Sequence, residues 1–387
     1  MERPPPNNKP ARRTDLDLLR VIICATVILA HALLIFAAEP AYHVKSAVVW
    51  PVATVLYEGM RIATLCIFFA LAGWASAASL RGRTVGRYLN DRATRILVPL
   101  IAGVILQGPI IKFIELGQGR DLRMAGFREV PPLKTDFLAF VARYFTRSDL
   151  LTWSHLWFLA YLFIISIALL PLLRHMARRA PSEAVPGRWA ALLPGLGLAA
   201  LVLVTHGYWP FLPNLARDGA NLLLFAACFA LGGLFAVWPG FEARLRADAP
   251  WLLVLALAGL AGVVLAGPSP VGRLCVGLCA WGCIGAAFGY AGRHPPRPTP
   301  LLTWLGEATM PVYVLHHIPV LVLGVVVVPL AWSAGVKVLA IWIPATLVSL
   351  AVYRLVVAPW RVPRFLLGMA PPRPVIGTAE PAGQGIG

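Results

Sequence analysis

Apolar stretches of about twenty residues alternate along the chain with short polar or basic connections, the pattern of helices that cross a membrane repeatedly. The stretches fall near 18–37, 58–80, 97–114, 154–173, 189–206, 219–237, 250–267, 271–291, 308–329 and 337–357. They predict an all-α, polytopic integral membrane protein with about ten transmembrane helices. An even number of crossings puts both termini on the same side. Residues 46–57 are also apolar, but Pro51 and their shortness suggest a re-entrant or interfacial piece. Only "GPSPVG" separates two of the spans, which fits a helical hairpin. Residues 1–17 hold no short apolar stretch ending in a small-residue cleavage site, so the first helix is expected to remain as an anchor.

Composition agrees with this pattern. Of 387 residues, 59% are hydrophobic and 13% charged, far too few for the surface of a soluble protein of this length. The net charge of +17 raises nucleic acid as a partner, but its distribution excludes it. With the N-terminus cytoplasmic, 22 of the 34 Lys and Arg fall on the inner side and 12 on the outer, while acidic residues divide 9 to 8. The loops "RGRTVGRYLNDRATR" and "RHMARRAPSEAVPGR" carry much of the inner excess. That is the positive-inside signature, with anionic lipid as the partner. No internal repeat is visible, so a transporter built from repeated halves gains no support. Cys24, Cys66, Cys228, Cys275, Cys279 and Cys283 all lie in apolar runs and read as small packing residues, and no metal site is assigned.

The expected domain plan is a disordered cytoplasmic N-terminus at 1–17, a membrane domain at 18–357 and a cytoplasmic tail at 358–387. Within the membrane domain, 115–153 forms an extracytoplasmic segment. Its "DFLAFVARYFTR" places Phe137, Phe140, Val141 and Tyr144 at helical spacing, predicting a short amphipathic helix on the outer surface or over a cavity.

Ionisable residues inside apolar spans are costly and mark function by default. Arg20 and His31 are eleven residues apart in the first span. At ~100° per residue that is within ~20° of three full turns, so both face one way, ~16 Å apart along the axis. Arg92 and Arg95 also lie near the inner surface, His316 and His317 near the middle, and His31, Glu58, Arg61 and His155 in the outer half. This layering suits acyl transfer from one face to the other. Arginines bind the phosphates of a coenzyme A thioester. A histidine serves as base for an attacking hydroxyl, and Arg61 or His155 serves the oxyanion. Plainer readings stand beside these. Arg20 can snorkel to the interface, Glu58 and Arg61 can pair with each other, and Trp157 can belong to an aromatic belt.

At these residues the chain resembles the integral-membrane acyltransferase-3 family. The carriers are Arg20 and His31 in the first helix, "FFALAGW" (68–74), "YLNDRATRILVP" (88–99), "SHLWFLAYL" (154–162) and "VYVLHHIPV" (312–320). Ala72 stands where the family often has serine, so no serine nucleophile is proposed there. "YHVKSA", "GMRIATLCIFFALAGW", "SHLWFL" and "LHHIPV" are most similar to the glucan-biosynthesis branch, which succinylates periplasmic glucans.

The resemblance implies a multi-pass protein of the bacterial inner membrane that takes an acyl group, succinyl or acetyl, from cytoplasmic acyl-CoA. The acceptor is a hydroxyl of a periplasmic glucan or another envelope glycan. Acyl-CoA is then a substrate, with no permanently bound cofactor. His31 and Arg20 are the expected catalytic pair, and Arg92, Arg95, His316 and His317 the donor side. Arg61, Glu58, His155 and Trp157 are expected at the acceptor or oxyanion. An acyl-histidine on His31 or His316 remains open. So do two other functions, a sugar or lipid flippase and a structural partner of a glucan synthase.

Overall fold

The structure, a computed structural model, describes residues 12–123, 126–206, 214–215 and 217–370. Its helices in order are α1 (Thr14–Leu34), α2 (Pro51–Leu80), α3 (Val85–Arg92), α4 (Val98–Leu106), α5 (Gly108–Gly117), α6 (Phe137–Thr146), α7 (Trp157–Ala168) and α8 (Leu170–Ala177). There follow α9 (Arg188–Thr205), α10 (Gly219–Val237), α11 (Pro239–Ala266), α12 (Pro270–Arg293), α13 (Pro300–Leu315), α14 (His317–Val327), α15 (Ala334–Val352) and α16 (Arg361–Leu366). A two-stranded antiparallel ribbon, β1 (Arg120–Arg123) and β2 (Gly126–Glu129), pairs Arg120 with Glu129.

Among the described residues seven helices are long and apolar enough to span a membrane, and three bent pairs bring the number to ten. The bends measure 46° between α4 and α5, 58° between α7 and α8, and 57° between α13 and α14. Each follows from proline chemistry: Pro109, Pro171 and Pro319 lack the N–H that would bond the carbonyl four residues earlier. The break at Pro319 falls beside His316 and His317 and turns both inward, where both are buried.

Two expectations are corrected. Residues 51–57 are no re-entrant piece; they form the first turns of α2, because Pro51 sits at a helix start, where its missing N–H costs nothing. Residues 14–17, expected to be disordered, begin α1, with Asp15 and Asp17 complementing the positive end of its dipole. The remaining tails, 1–11 and 371–387, lie outside the described residues.

Small residues let the helices approach closely, as association in lipid requires. A Cβ on Gly73 of α2 would meet the Phe229 carbonyl oxygen of α10 at 1.8 Å. Gly259 and Gly262 of α11 face Cys279 and Cys275 of α12, and all six cysteines are free. At the face where α1 begins, Arg13 bonds Asp15 at 2.8 Å and Glu242 at 3.1 Å, and Trp74 Nε1 donates to Glu242 at 2.8 Å, tying α1, α2 and α11 together. On the opposite face the expected amphipathic helix is α6. It buries Phe140 and Tyr144 against Phe113 and Leu116 of α5, and Tyr144 donates to the Val104 carbonyl at 3.0 Å.

Candidate active site

A cavity of about 180 Å³ opens between α1, α2, α7 and α13 and is bounded by Arg20, Arg92 and Arg95 at one end. Phe158 and Tyr313 line it further in, and Ala72 is in its wall. Arg20 and Arg92 come from different spans, and Arg95 projects from a π-helical turn at Ala93–Leu97, a local widening frequent at functional sites. Arg20 donates to Asp17 at 3.1 Å. Arg92 lies over the Tyr88 ring at 5.0 Å, and its buried Nε–H has no partner among the described residues. Three guanidiniums around one small space, with few carboxylates to neutralise them, form a ready anion site.

On the far side of Tyr313 the imidazoles converge. The ring centroid of His31 lies 5.1 Å from His316, 4.9 Å from His317 and 6.3 Å from His155. His155 and His317 stack at 4.4 Å. Hydrogen bonds fix two tautomers. His31 Nδ1–H donates to the Val27 carbonyl at 2.8 Å, and His316 Nδ1–H to that of Tyr313 at 2.7 Å. A carbonyl can only accept, so when neutral each ring keeps its lone pair on Nε2. His155 Nε2–H donates to the Val314 carbonyl at 3.0 Å, while its Nδ1 and both nitrogens of His317 are buried without partners among the described residues. His316 and His317, expected on the donor side with the arginines, thus sit beside His31 and His155. Nitrogens of His31, His316 and His317 lie within 4.8 Å of one another, a group from which a metal ion could be held, although none was assigned from the sequence.

Beside it runs a chain of groups unforeseen in the sequence. Buried Glu115 on α5 accepts from Lys112 and from the Leu122 N–H, the latter at 2.7 Å. Its second oxygen accepts from His43 Nδ1, and His43 Nε2 faces Ser154 Oγ at 2.8 Å. Ser154 holds φ at +44°, a strained backbone for a residue with a side chain. The rings of Tyr42, His43 and His317 touch one another, with centroids 5.2 to 5.7 Å apart. Tyr42 and His43 occur in "YHVKSA" and Ser154 precedes His155, but separations of 72 and 111 residues hide the juxtaposition from the sequence.

The remaining expected residues lie elsewhere. Arg61 bonds Glu58 at 2.6 Å, the structural pairing anticipated, and its charge also acts on Asp218 and His206. Asp218 accepts from Tyr161 at 2.7 Å and from Asn221 at 2.6 Å. Trp157 stands 5.1 Å from the Tyr161 ring. Arg61, Glu58 and Trp157 therefore border a second polar cluster, between α2, α7 and α10, whereas His155 joins the imidazoles.

Residues 13–354 match the acyltransferase domain of the acyltransferase-3 family. No curated protein and no solved structure shows a significant match. With that match over nearly the whole length, seven to ten membrane-capable spans, an arginine-lined cavity and a cluster of histidines, the chain belongs to the acyltransferase-3 family and is a membrane acyltransferase.

Proposed function

We propose that the protein carries an acyl group, succinyl or acetyl, from cytoplasmic acyl-CoA to a hydroxyl of a periplasmic glucan or another envelope glycan, in a bacterial inner membrane. One observation carries this reading: the guanidiniums of Arg20, Arg92 and Arg95 line a cavity that reaches Tyr313, whose ring lies 5.9 Å from that of His316, itself 5.1 Å from His31. The arginines take the donor's phosphates, and the long thin pantetheine arm runs up the cavity past Ala72 and Tyr313. His31 Nε2 takes the proton of the acceptor hydroxyl, because its other nitrogen is committed to Val27. Oxyanion charge falls on N–H and O–H donors of the histidine chamber. The second cluster, with Trp157, Arg61 and Glu58, suits a sugar, offering an aromatic face beside charged hydrogen-bonding groups.

Acyl-labelled CoA supplied to the cytoplasmic side of sealed vesicles tests this. Label on a periplasmic glycan, absent from vesicles lacking the protein, is the expected outcome. Glycan movement without label means a flippase, and a phenotype kept by both Arg20→Ala and His31→Ala means a structural partner. Mass spectrometry of periplasmic glycans from a deletion strain then names the group and its recipient.

A further inference from the structure

We propose that Ser154, His43 and Glu115 form a nucleophilic triad through which the acyl group passes as an ester of Ser154. This rests on the acyl-CoA donor proposed above and adds a covalent station to it. The geometry is that of a triad on any fold, recognised by roles and not by chain order. Glu115, an acceptor only when ionised, is held as a carboxylate by Lys112 and the Leu122 N–H. It must therefore receive the proton of His43 Nδ1, which leaves the Nε2 lone pair directed at Ser154 Oγ, 2.8 Å away. The serine is partly accessible while its base is buried, and it projects from a left-handed turn at φ +44°. Phe158, four residues on in the first turn of α7, lines the donor cavity, so the cavity's wall lies close to the serine along the chain. Donors for the oxyanion are at hand: Tyr42 Oη and the ring nitrogens of His317 are buried without partners among the described residues, and both rings touch His43.

The steps balance. Ser154 Oγ bonds to the acyl carbon as the carbon–sulfur bond breaks. The serine proton goes to His43 Nε2, and the bonding pair leaves on the thiolate. Glu115 stabilises the imidazolium. An acceptor hydroxyl then bonds to the same carbon and gives its proton to His31 Nε2. The ester bond to Oγ breaks, and Oγ recovers its proton from His43. His31 passes its proton to the thiolate sulfur. The sum is hydroxyl plus thioester giving ester plus thiol. His43 and Ser154 are catalytic residues in this scheme, and Glu115 is a positioning residue.

The test uses the full chain in detergent or nanodiscs with labelled acetyl-CoA or succinyl-CoA, peptide mapping, and turnover with acceptor glycan. In His31→Ala, ester is expected to accumulate on Ser154 toward one per chain. Ser154→Ala and His43→Ala should carry no label there and lose transfer at least 100-fold, and Ser154→Cys should trap a thioester. Glu115→Asp, which keeps a carboxylate, should form the ester faster than Glu115→Gln. A Ser154→Ala protein that transfers within about threefold of wild type, or label mapped to His31 or His316, overturns this inference alone. A wild-type protein that transfers from neither thioester overturns the donor reading and this inference with it.

Discussion

A histidine in an apolar helix becomes a base only when its tautomer is set, and backbone carbonyls do that here. Val27 claims one nitrogen of His31 and Tyr313 one of His316, leaving lone pairs toward the chamber. The shared helix face of Arg20 and His31 was read from their eleven-residue interval, and the common layer of Arg20, Arg92 and Arg95 from topology; the three arginines line one cavity. Tyr42, His43, Glu115 and Ser154 were not legible, because they meet only after loop, kinked span and turn have folded together. Arg61, expected at the acceptor or oxyanion, has Glu58 as one of its partners, at 2.6 Å. On the acceptor side, Trp157→Ala should raise KM for the glycan about tenfold, the loss of one aromatic contact, while KM for acyl-CoA stays unchanged. Initial-rate kinetics with each substrate varied in turn checks this, and an unaltered glycan KM would remove Trp157 from the acceptor site.

Among the elements, most span ends were readable to within a few residues because lipid demands long apolar runs, whereas α2, α11 and α13 begin seven, eleven and eight residues before their apolar runs. The kinks were harder: the prolines are visible in the sequence, but whether a proline bends a helix depends on its neighbours. Pro194, Pro250 and Pro344 lie inside continuous helices. Close helix contacts give a sharp expectation. Gly73→Ala drives a methyl into the backbone of α10, whereas Gly82→Ala meets nothing within 4 Å. The first should lower the melting temperature in detergent by several degrees and the second leave it within a degree or so, given ΔΔG of about 1–3 kcal/mol for overpacking.

The β1–β2 ribbon adds a pH expectation. Burial would raise the Asp121 carboxyl, but hydrogen bonds from Lys112 and Arg123, with Arg128, hold it at about 2. A depressed carboxyl stabilises the fold above its ordinary value of 3.8 and loses that contribution as pH falls through the folded value. Hydrogen exchange of residues 118–130 should therefore stay slow from pH 7 to about 4, after correction for intrinsic rates, and lose protection between about 4 and 2. In Asp121→Asn that acid-dependent loss should vanish.

At the scale of the whole molecule, the spans place an arginine-lined cavity and a histidine cluster on either side of Tyr313, so that on the proposed reading neither the charged donor nor the sugar need cross the lipid. Burying ionisable groups at this depth is expensive, and their clustering is the main reason to read them as machinery. The basic loops near Arg20 are the sequence's argument that the cavity faces the cytoplasm. The most direct test separates donor binding from chemistry in acyl transfer by membranes or reconstituted protein at matched expression. Arg92→Ala should raise KM for acyl-CoA about 10- to 100-fold, the loss of charge-assisted bonds to phosphate, with kcat largely kept. His31→Ala should cut kcat by about 10²- to 10⁴-fold with the donor KM little changed. Near wild-type turnover in His31→Ala, or an unchanged donor KM in Arg92→Ala, would contradict the account.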